Sequence, residues 1–175
     1  MGLKKQFVSA ILLGSALTAP LFAQDIATPS SSIDTLAIFS FNDFHGAFAS
    51  DGITPGAARL VQMTQNEKQR YPHSIVVSGG DNFSGSYFSK ITKGEPIKEM
   101  YEAMDVEMSA IGNHEFDWGP DNFNAWSRDG KFPFLAANIV DKRTGQVPSW
   151  TKPYQVVLLG GHKVAFVGFS TVETL

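Results

Sequence analysis

The sequence predicts an α/β fold, because short apolar segments alternate with amphipathic segments along most of the chain. Three of the apolar segments are followed directly by a polar cluster that contains glycine. The chain has 175 residues, of which 43% are hydrophobic and 18% are charged, a composition typical of one folded domain. Alternation of strands and helices is typical of a layered domain whose first strands are mostly parallel.

The apolar runs with β-favouring residues predict four strands, at residues 36–41, 74–78, 106–111 and 134–137. Apolar residues at helical spacing predict three helices, at residues 56–71 and 95–104 and, shorter, at 121–127. Near the end of the chain, residues 154–159 and 162–169 flank Gly160 and Gly161. This pattern predicts a β-hairpin with a glycine-rich turn.

The first 23 residues predict a secretory signal peptide, since the basic pair Lys4 and Lys5 is followed by an apolar run and by Ala23. Residues 24–34 are rich in Ser, Thr, Pro and Ala and predict a flexible leader, so the folded domain is expected at 35–175. No later segment is apolar enough to cross a bilayer. We therefore expect a periplasmic or secreted protein with no stable membrane span after cleavage. The alternative is a buried N-terminal helix or an uncleaved anchor.

The composition excludes several classes of function. The chain has no cysteine, which excludes disulfides, thiolate metal sites and cysteine nucleophiles. Its formal charge of −3, or about −5 without Lys4 and Lys5, argues against binding to a nucleic acid polymer. A small phosphate ester stays possible, because a metal can bind it on an acidic protein. The available ligands suit Zn, Mn, Mg or Fe.

Three polar clusters follow three predicted strands. They are Asn-Asp-Phe-His-Gly at 42–46, Gly-Gly-Asp-Asn-Phe-Ser-Gly at 79–85, and Gly-Asn-His-Glu-Phe-Asp-Trp-Gly at 112–119. Ligand sites of open α/β sheets lie outside the carboxyl ends of the strands. We therefore expect the three clusters to form one site.

The clusters contain candidate metal ligands. Asp43 and His45 lie two residues apart, and in an extended conformation their side chains would point the same way and could bind one cation. Asp81 offers a carboxylate that could bridge two cations, and Asn113 offers a neutral carbonyl oxygen. Turn capping by Asp43 and Asp81 is the alternative interpretation. The occurrence of all three clusters in order, each after a strand, favours a functional site.

The third cluster also contains a candidate catalytic pair. His114, next to Asn113, would project away from the metals and is free to act on a substrate. Asp117, three residues later, could hold the His114 ring, fix its tautomer and stabilise its charged form.

These three motifs resemble the 5'-nucleotidase / UDP-sugar hydrolase branch of the calcineurin-like metallophosphoesterases, over about residues 35–175. The resemblance implies a four-layer α-β-β-α sandwich, of which this chain would be the incomplete N-terminal half. It implies two divalent metal ions (Zn, Mn, Mg or similar), with Asp43 and His45 on the first. Asp81 would bridge the two ions, and Asn113 would bind the second.

The resemblance further implies that a metal-bound water attacks phosphorus in a nucleotide or another small phosphate ester. His114, supported by Asp117, would stabilise the transition state and the leaving oxygen. Family members continue with a further metal-binding His, a Gly-His-x-His or Gly-His-x-Gln segment and a substrate domain, and His162 matches neither His position. We therefore expect this chain to be an inactive fragment of an exported phosphoesterase. Two alternatives stay open: a non-catalytic remnant that binds metal or a partner, and a plain α/β binding domain without metal.

Overall fold

The computed structural model describes residues 35–127 and 131–172, so the predicted signal peptide (1–23) and leader (24–34) lie outside the described residues. Four strands form one parallel sheet in the order β1-β2-β3-β4. The strands are β1 (Ala37–Phe41), β2 (Ser74–Ser78), β3 (Val106–Ala110) and β4 (Phe134–Leu135). This arrangement confirms the predicted α/β fold with a parallel sheet.

Four α-helices connect the strands of this sheet. They are α1 (Gly56–Arg70), α2 (Tyr87–Thr92), α3 (Glu95–Met104) and α4 (Asn122–Trp126). Helix α3 has the predicted bounds, because its apolar residues recur at helical spacing and are buried. None of the helices in the described part of the chain is long and apolar enough to cross a membrane.

Helix α2 was missing from the prediction. Its apolar side chains Tyr87, Phe88 and Ile91 are exposed, so the segment has no amphipathic pattern to read. The signal that could have found it is the N-cap, where the Ser86 hydroxyl accepts a hydrogen bond from the peptide N–H of Ser89 at 3.0 Å.

The two faces of the sheet pack against different layers. Because successive side chains of a strand point to opposite faces, Val76 and Phe134 enter the core under the helices, whereas Ile75 and Leu135 enter a second cluster. The core under the helices consists largely of aromatic and long aliphatic side chains. Its largest fully buried members are Trp126, Tyr101, Phe83, Phe123, Phe134, Ile97, Met104 and Ile111.

The predicted hairpin is present as the antiparallel pair β5 (Tyr154–Leu159) and β6 (His162–Val167). Gly160 and Gly161 form its two-residue turn, with φ values of 54° and 82° that favour glycine. Strand β6 ends two residues earlier than predicted. Beyond it, the carbonyl of Gly168 accepts a hydrogen bond from the peptide N–H of Ala137 at 2.7 Å, so the chain leaves the hairpin there.

The hairpin forms a third layer on the parallel sheet. Val157, Leu159 and Phe166 on its inner face pack against the second cluster. Its outer face is exposed, with Tyr154 and Leu158 57% and 72% accessible. The described residues therefore form an α-β-β arrangement, which is three layers of the four-layer sandwich that the resemblance implies.

Ile97→Ala should destabilise the domain, because Ile97 is inaccessible in the core and its truncation leaves a cavity. We expect the free energy of unfolding, measured by urea denaturation, to fall by about 2–5 kcal/mol. The matched control is Ile53→Ala, since Ile53 is 93% exposed. This control should change stability by no more than about 0.5 kcal/mol, and equal effects of the two substitutions would contradict the assigned core.

Candidate active site

Parallel pairing of β1, β2 and β3 brings three loops to one edge of the sheet. We call them loop A (42–46), loop B (79–85) and loop C (112–119). Loops A and B continue the pairing beyond the strands, through peptide hydrogen bonds from Asp43 to Gly80 (3.0 Å) and from His45 to Asp81 (3.2 Å). The three polar clusters of the sequence are thus neighbours in the fold.

Asp43 and His45 lie together in loop A, but in a different backbone conformation from the one expected. The extended conformation was wrong: both residues have left-handed φ values, 52° and 50°, because the chain turns directly after β1. The side chains nevertheless approach each other, with Nε2 of His45 at 3.5 Å from Oδ1 of Asp43. The amide of Asn42 donates a further hydrogen bond to the Asp43 carboxylate.

The orientation of the His45 ring is set by loop B. Its Nδ1 lies 3.3 Å from the backbone carbonyl oxygen of Ser84, and a carbonyl can only accept a hydrogen bond. Nδ1 is therefore the ring nitrogen that donates to loop B, and Nε2 is the ring nitrogen that faces Asp43, where it could bind a metal. Gly85 permits this approach, since a Cβ at that position would lie 2.6 Å from Cβ of His45.

Asp81 and Asn113 line one open cavity of about 470 Å³ between loops B and C. Asp81 has a left-handed φ of 57°, and its Oδ1 accepts the peptide N–H of His114 at 2.9 Å. The loops are in such close contact that a Cβ at Gly112 would overlap Oδ1 of Asp81. Only glycine fits at position 112 without displacing the Asp81 carboxylate.

The four candidate metal ligands form two pairs, Asp43 with His45 and Asp81 with Asn113. Within residues 35–127 and 131–172, no three His, Asp or Glu side chains are grouped so that they could hold one metal ion. The structure brings the two pairs to the same edge of the sheet, and their roles as metal ligands stay predictions.

His114 and Asp117 form the expected contact across a single 3₁₀ turn, His114–Phe116. Nδ1 of His114 lies 3.0 Å from Oδ2 of Asp117, and the two side chains are 38% and 40% exposed. The hydrogen bond to Asp117 raises the pKa of His114, although partial burial opposes the shift. Burial raises the pKa of Asp117, but the hydrogen bonds from Ser84 and His114 outweigh it and lower that pKa below its usual value.

The His114 ring lies beside the candidate metal ligands, with its centroid 4.9 Å from that of His45. Because Nδ1 faces Asp117, Nε2 of His114 is the ring atom left to meet a bound molecule. Their partial exposure leaves both His114 and His45 within reach of a small ligand at this edge.

Two residues of the site were missed by sequence reasoning, Asn82 and Glu115. Both are completely buried, and Glu115 accepts peptide N–H groups from Asp81 and Gly112. The only sequence signal was a carboxylate beside His114 in a motif that follows a strand. The peptide N–H groups that Glu115 accepts belong partly to loop B, which is distant in sequence, so no local pattern reveals these contacts.

No family model matches the chain. Curated relatives nevertheless match most of it: rat 5'-nucleotidase is 29% identical over 94% of this chain, and 5'-nucleotidase of Vibrio parahaemolyticus is 31% identical over 94% of this chain. The matched parts are 30% and 31% of those relatives, so the chain spans less than a third of their length.

Solved structures share the fold of this chain. The 5'-nucleotidase precursor from Thermus thermophilus superposes with a TM-score of 0.69 and 26% identity, covering 79% of this chain and 29% of that one. A calcineurin-like phosphoesterase from Bacillus subtilis, at 23% identity, shares the fold with a TM-score of 0.65 over 79% of this chain and 49% of its own length.

The fold is therefore that of the calcineurin-like phosphoesterases. Within this class the sequence matches 5'-nucleotidases, which are phosphoric ester hydrolases, over most of its own length. The predicted family resemblance is confirmed.

Asp117→Asn should lower the pKa of His114 toward its ordinary value, because the carboxylate that stabilises the imidazolium is removed. An NMR titration of the His114 ring in the metal-free chain measures this change. The raised pKa of His114 also makes stability depend on pH. The protonated ring stabilises the fold at low pH, and this contribution is lost as pH rises through the folded-state pKa of His114.

The control for this titration is Asp141→Asn, which removes an exposed carboxylate that pairs with Arg143 outside the three loops. It should leave the His114 midpoint unchanged. A His114 midpoint that stays at its wild-type value in Asp117→Asn would show that the pair does not set the charge of the ring.

Proposed function

We propose that this chain supplies the metal-binding loops of an exported, metal-dependent phosphoesterase of the 5'-nucleotidase type. The observation that carries the proposal is the meeting of Asp43, His45, Asp81 and His114 at adjoining strand ends, where backbone hydrogen bonds join the loops. The relatives that match 94% of the chain support it, since they are named 5'-nucleotidases.

The residues present fit divalent cations. Metal–nitrogen and metal–oxygen bonds of about 2.0–2.2 Å place two ligands of one ion roughly 3 Å apart or slightly more, and the His45–Asp43 separation is 3.5 Å. These two residues would hold the first cation. Asp81 would bridge to a second, which Asn113 would share, because both side chains open on the same cavity. This oxygen and imidazole donor set suits Zn, Mn or Mg.

Bound divalent cations would neutralise charge that develops on a phosphoryl group. The residues of this chain would handle the proton and the leaving oxygen. His114, with Nδ1 held by Asp117, presents Nε2 outward and can donate a hydrogen bond from that atom to an ester oxygen. Its raised pKa favours the protonated ring over a wider pH range.

We propose nucleotides as the phosphate esters, on the names of the matched relatives. We also propose export to the periplasm or exterior, on the basic and apolar pattern of residues 1–23. Each proposed cation has one pair of closely placed ligands among the described residues, and Asp81 would have to approach the first cation on binding, because no three His, Asp or Glu side chains there are grouped around one ion. Metal affinity depends on ligand number, so the 175-residue chain alone should bind metal weakly and hydrolyse little substrate.

Asp81→Asn tests this proposal, because it removes the charge of the one carboxylate assigned to both cations. We expect Mn²⁺ binding, followed by water-proton relaxation or calorimetry, to weaken by at least the roughly 10-fold that loss of a group orienting a metal ligand causes. Asp141→Asn again serves as the control, since it removes one acidic charge away from the loops.

Unchanged Mn²⁺ binding in Asp81→Asn would contradict the assigned site and favour a binding domain without this metal centre. AMP hydrolysis by the isolated chain is the companion measurement. Strong Mn²⁺-dependent hydrolysis would contradict the expected inactivity of the chain alone, while leaving the class of enzyme intact.

A further inference from the structure

Glu115 is a fully buried carboxylate that joins two of the site loops. It accepts peptide N–H groups from Asp81 at 2.9 Å and Asn82 at 2.8 Å in loop B, and from Gly112 at 2.8 Å in loop C. Its side chain is 0% accessible, so these peptide groups replace the water that would otherwise solvate it. Both carboxyl oxygens accept peptide N–H groups, so one side chain connects loop B with loop C directly.

Asn82 makes the corresponding connection between loop B and loop A. Its Oδ1 accepts the peptide N–H of Phe44 at 3.1 Å. Its Nδ2 lies within hydrogen-bond distance of the carbonyl of Gly80 (2.8 Å), the hydroxyl of Ser78 (2.7 Å) and the hydroxyl of Tyr101 (3.0 Å). The side chain is 0% accessible, so loop A is tied both to β2 and to α3 through one amide.

The residues held by these two side chains have an unusual backbone. Asp43, His45 and Asp81 all have φ values between 50° and 57°, in a region that residues other than glycine rarely adopt. Such conformations persist where surrounding contacts determine them. The peptide N–H of Asp81 donates to the Glu115 carboxylate. The backbone carbonyl of Asp81 accepts the peptide N–H of His45.

We propose that Glu115 and Asn82, which we name the loop clasp, are positioning residues that pre-arrange the cation ligands of loops A, B and C. This inference rests on the proposed function. The clasp faces the protein interior, whereas Asp43 and His114 face outward with partly exposed side chains. It acts through the backbone of the ligand-bearing residues. A pre-arranged ligand set binds an ion more tightly because less ordering accompanies binding.

Glu115→Gln tests the clasp, since it keeps the size of the side chain but turns an –NH₂ group toward peptide N–H groups that need an acceptor. Two measurements are made on the full chain. In the metal-free protein, amide hydrogen exchange should become faster at Asp81, Asn82 and Gly112. In a Mn²⁺ titration, the affinity should fall by about 10-fold or more, as for other groups that orient metal ligands.

The matched control is Thr151→Val, because the Thr151 hydroxyl is also buried and donates to a backbone carbonyl, that of Phe134, at 2.9 Å. Thr151 lies outside the three loops. We expect this control to lower stability without changing Mn²⁺ affinity or exchange in loop B. If Glu115→Gln folds and binds Mn²⁺ as wild type does, the clasp contributes only to stability and the proposal is overturned.

Tyr101→Phe is a milder second variant for the case in which Glu115→Gln does not fold. It removes the hydroxyl that accepts from Asn82 and keeps the buried ring. Exchange at Phe44 should become faster and Mn²⁺ affinity should decrease; no change in either overturns the proposal.

Wild-type protein that binds no Mn²⁺ would count against the proposed function. The hydrogen-exchange data would then test, independently of the metal, whether the loop clasp orders the loops. Protection in loop B that survives Glu115→Gln would overturn the clasp, and protection that is lost would support its role in ordering the loops.

Discussion

The parallel pairing of β1 with β2 does not stop where the strands stop, and the site depends on this continuation. Beyond Phe41 the chain turns, yet the peptides of Asp43 and His45 still bond to loop B. In a regular extended strand these side chains would follow the pleat of the sheet. The left-handed residues instead fold the pair back, so that a carboxylate and an imidazole approach within 3.5 Å at the sheet edge.

The core supports the site through Phe83, the residue that follows the buried Asn82. Phe83 comes directly after Asn82, is inaccessible, and stacks on Trp126 with ring centroids 4.2 Å apart. It also packs edge-on against Tyr101, whose hydroxyl is within hydrogen-bond distance of Asn82. Loop B is therefore fixed in the aromatic core on one side and presents Asp81 to the solvent edge on the other. Packing of Phe83 in the core fixes the position of the Asp81 carboxylate, and the partial exposure of Asp81 leaves that carboxylate accessible to a ligand.

Sequence reasoning predicted the features whose causes are local. Apolar spacing located α3, and Gly160-Gly161 located the hairpin turn, because each pattern specifies its own conformation. The meeting of the three clusters followed from the rule that parallel strands end at one edge. The family resemblance, too, was carried by contiguous motifs.

The features that were missed depend on partners distant in sequence. Glu115 looks like an ordinary surface acid until loop B surrounds it with peptide N–H groups. The backbone of Asp43 was predicted as extended, since a left-handed turn of a non-glycine residue is stabilised only by its tertiary contacts. Helix α2 is specified by its Ser86 cap and by no apolar stripe.

The two histidines of the site differ in how easily evolution could change their orientation. His114 is held by the side chain of Asp117, so one codon change can release the ring and alter its charge. His45 is held by the backbone carbonyl of Ser84, a group that every amino acid supplies. Substitution at position 84 thus leaves the acceptor in place. The ring assigned to proton chemistry is therefore the one whose hydrogen-bond acceptor a single substitution removes.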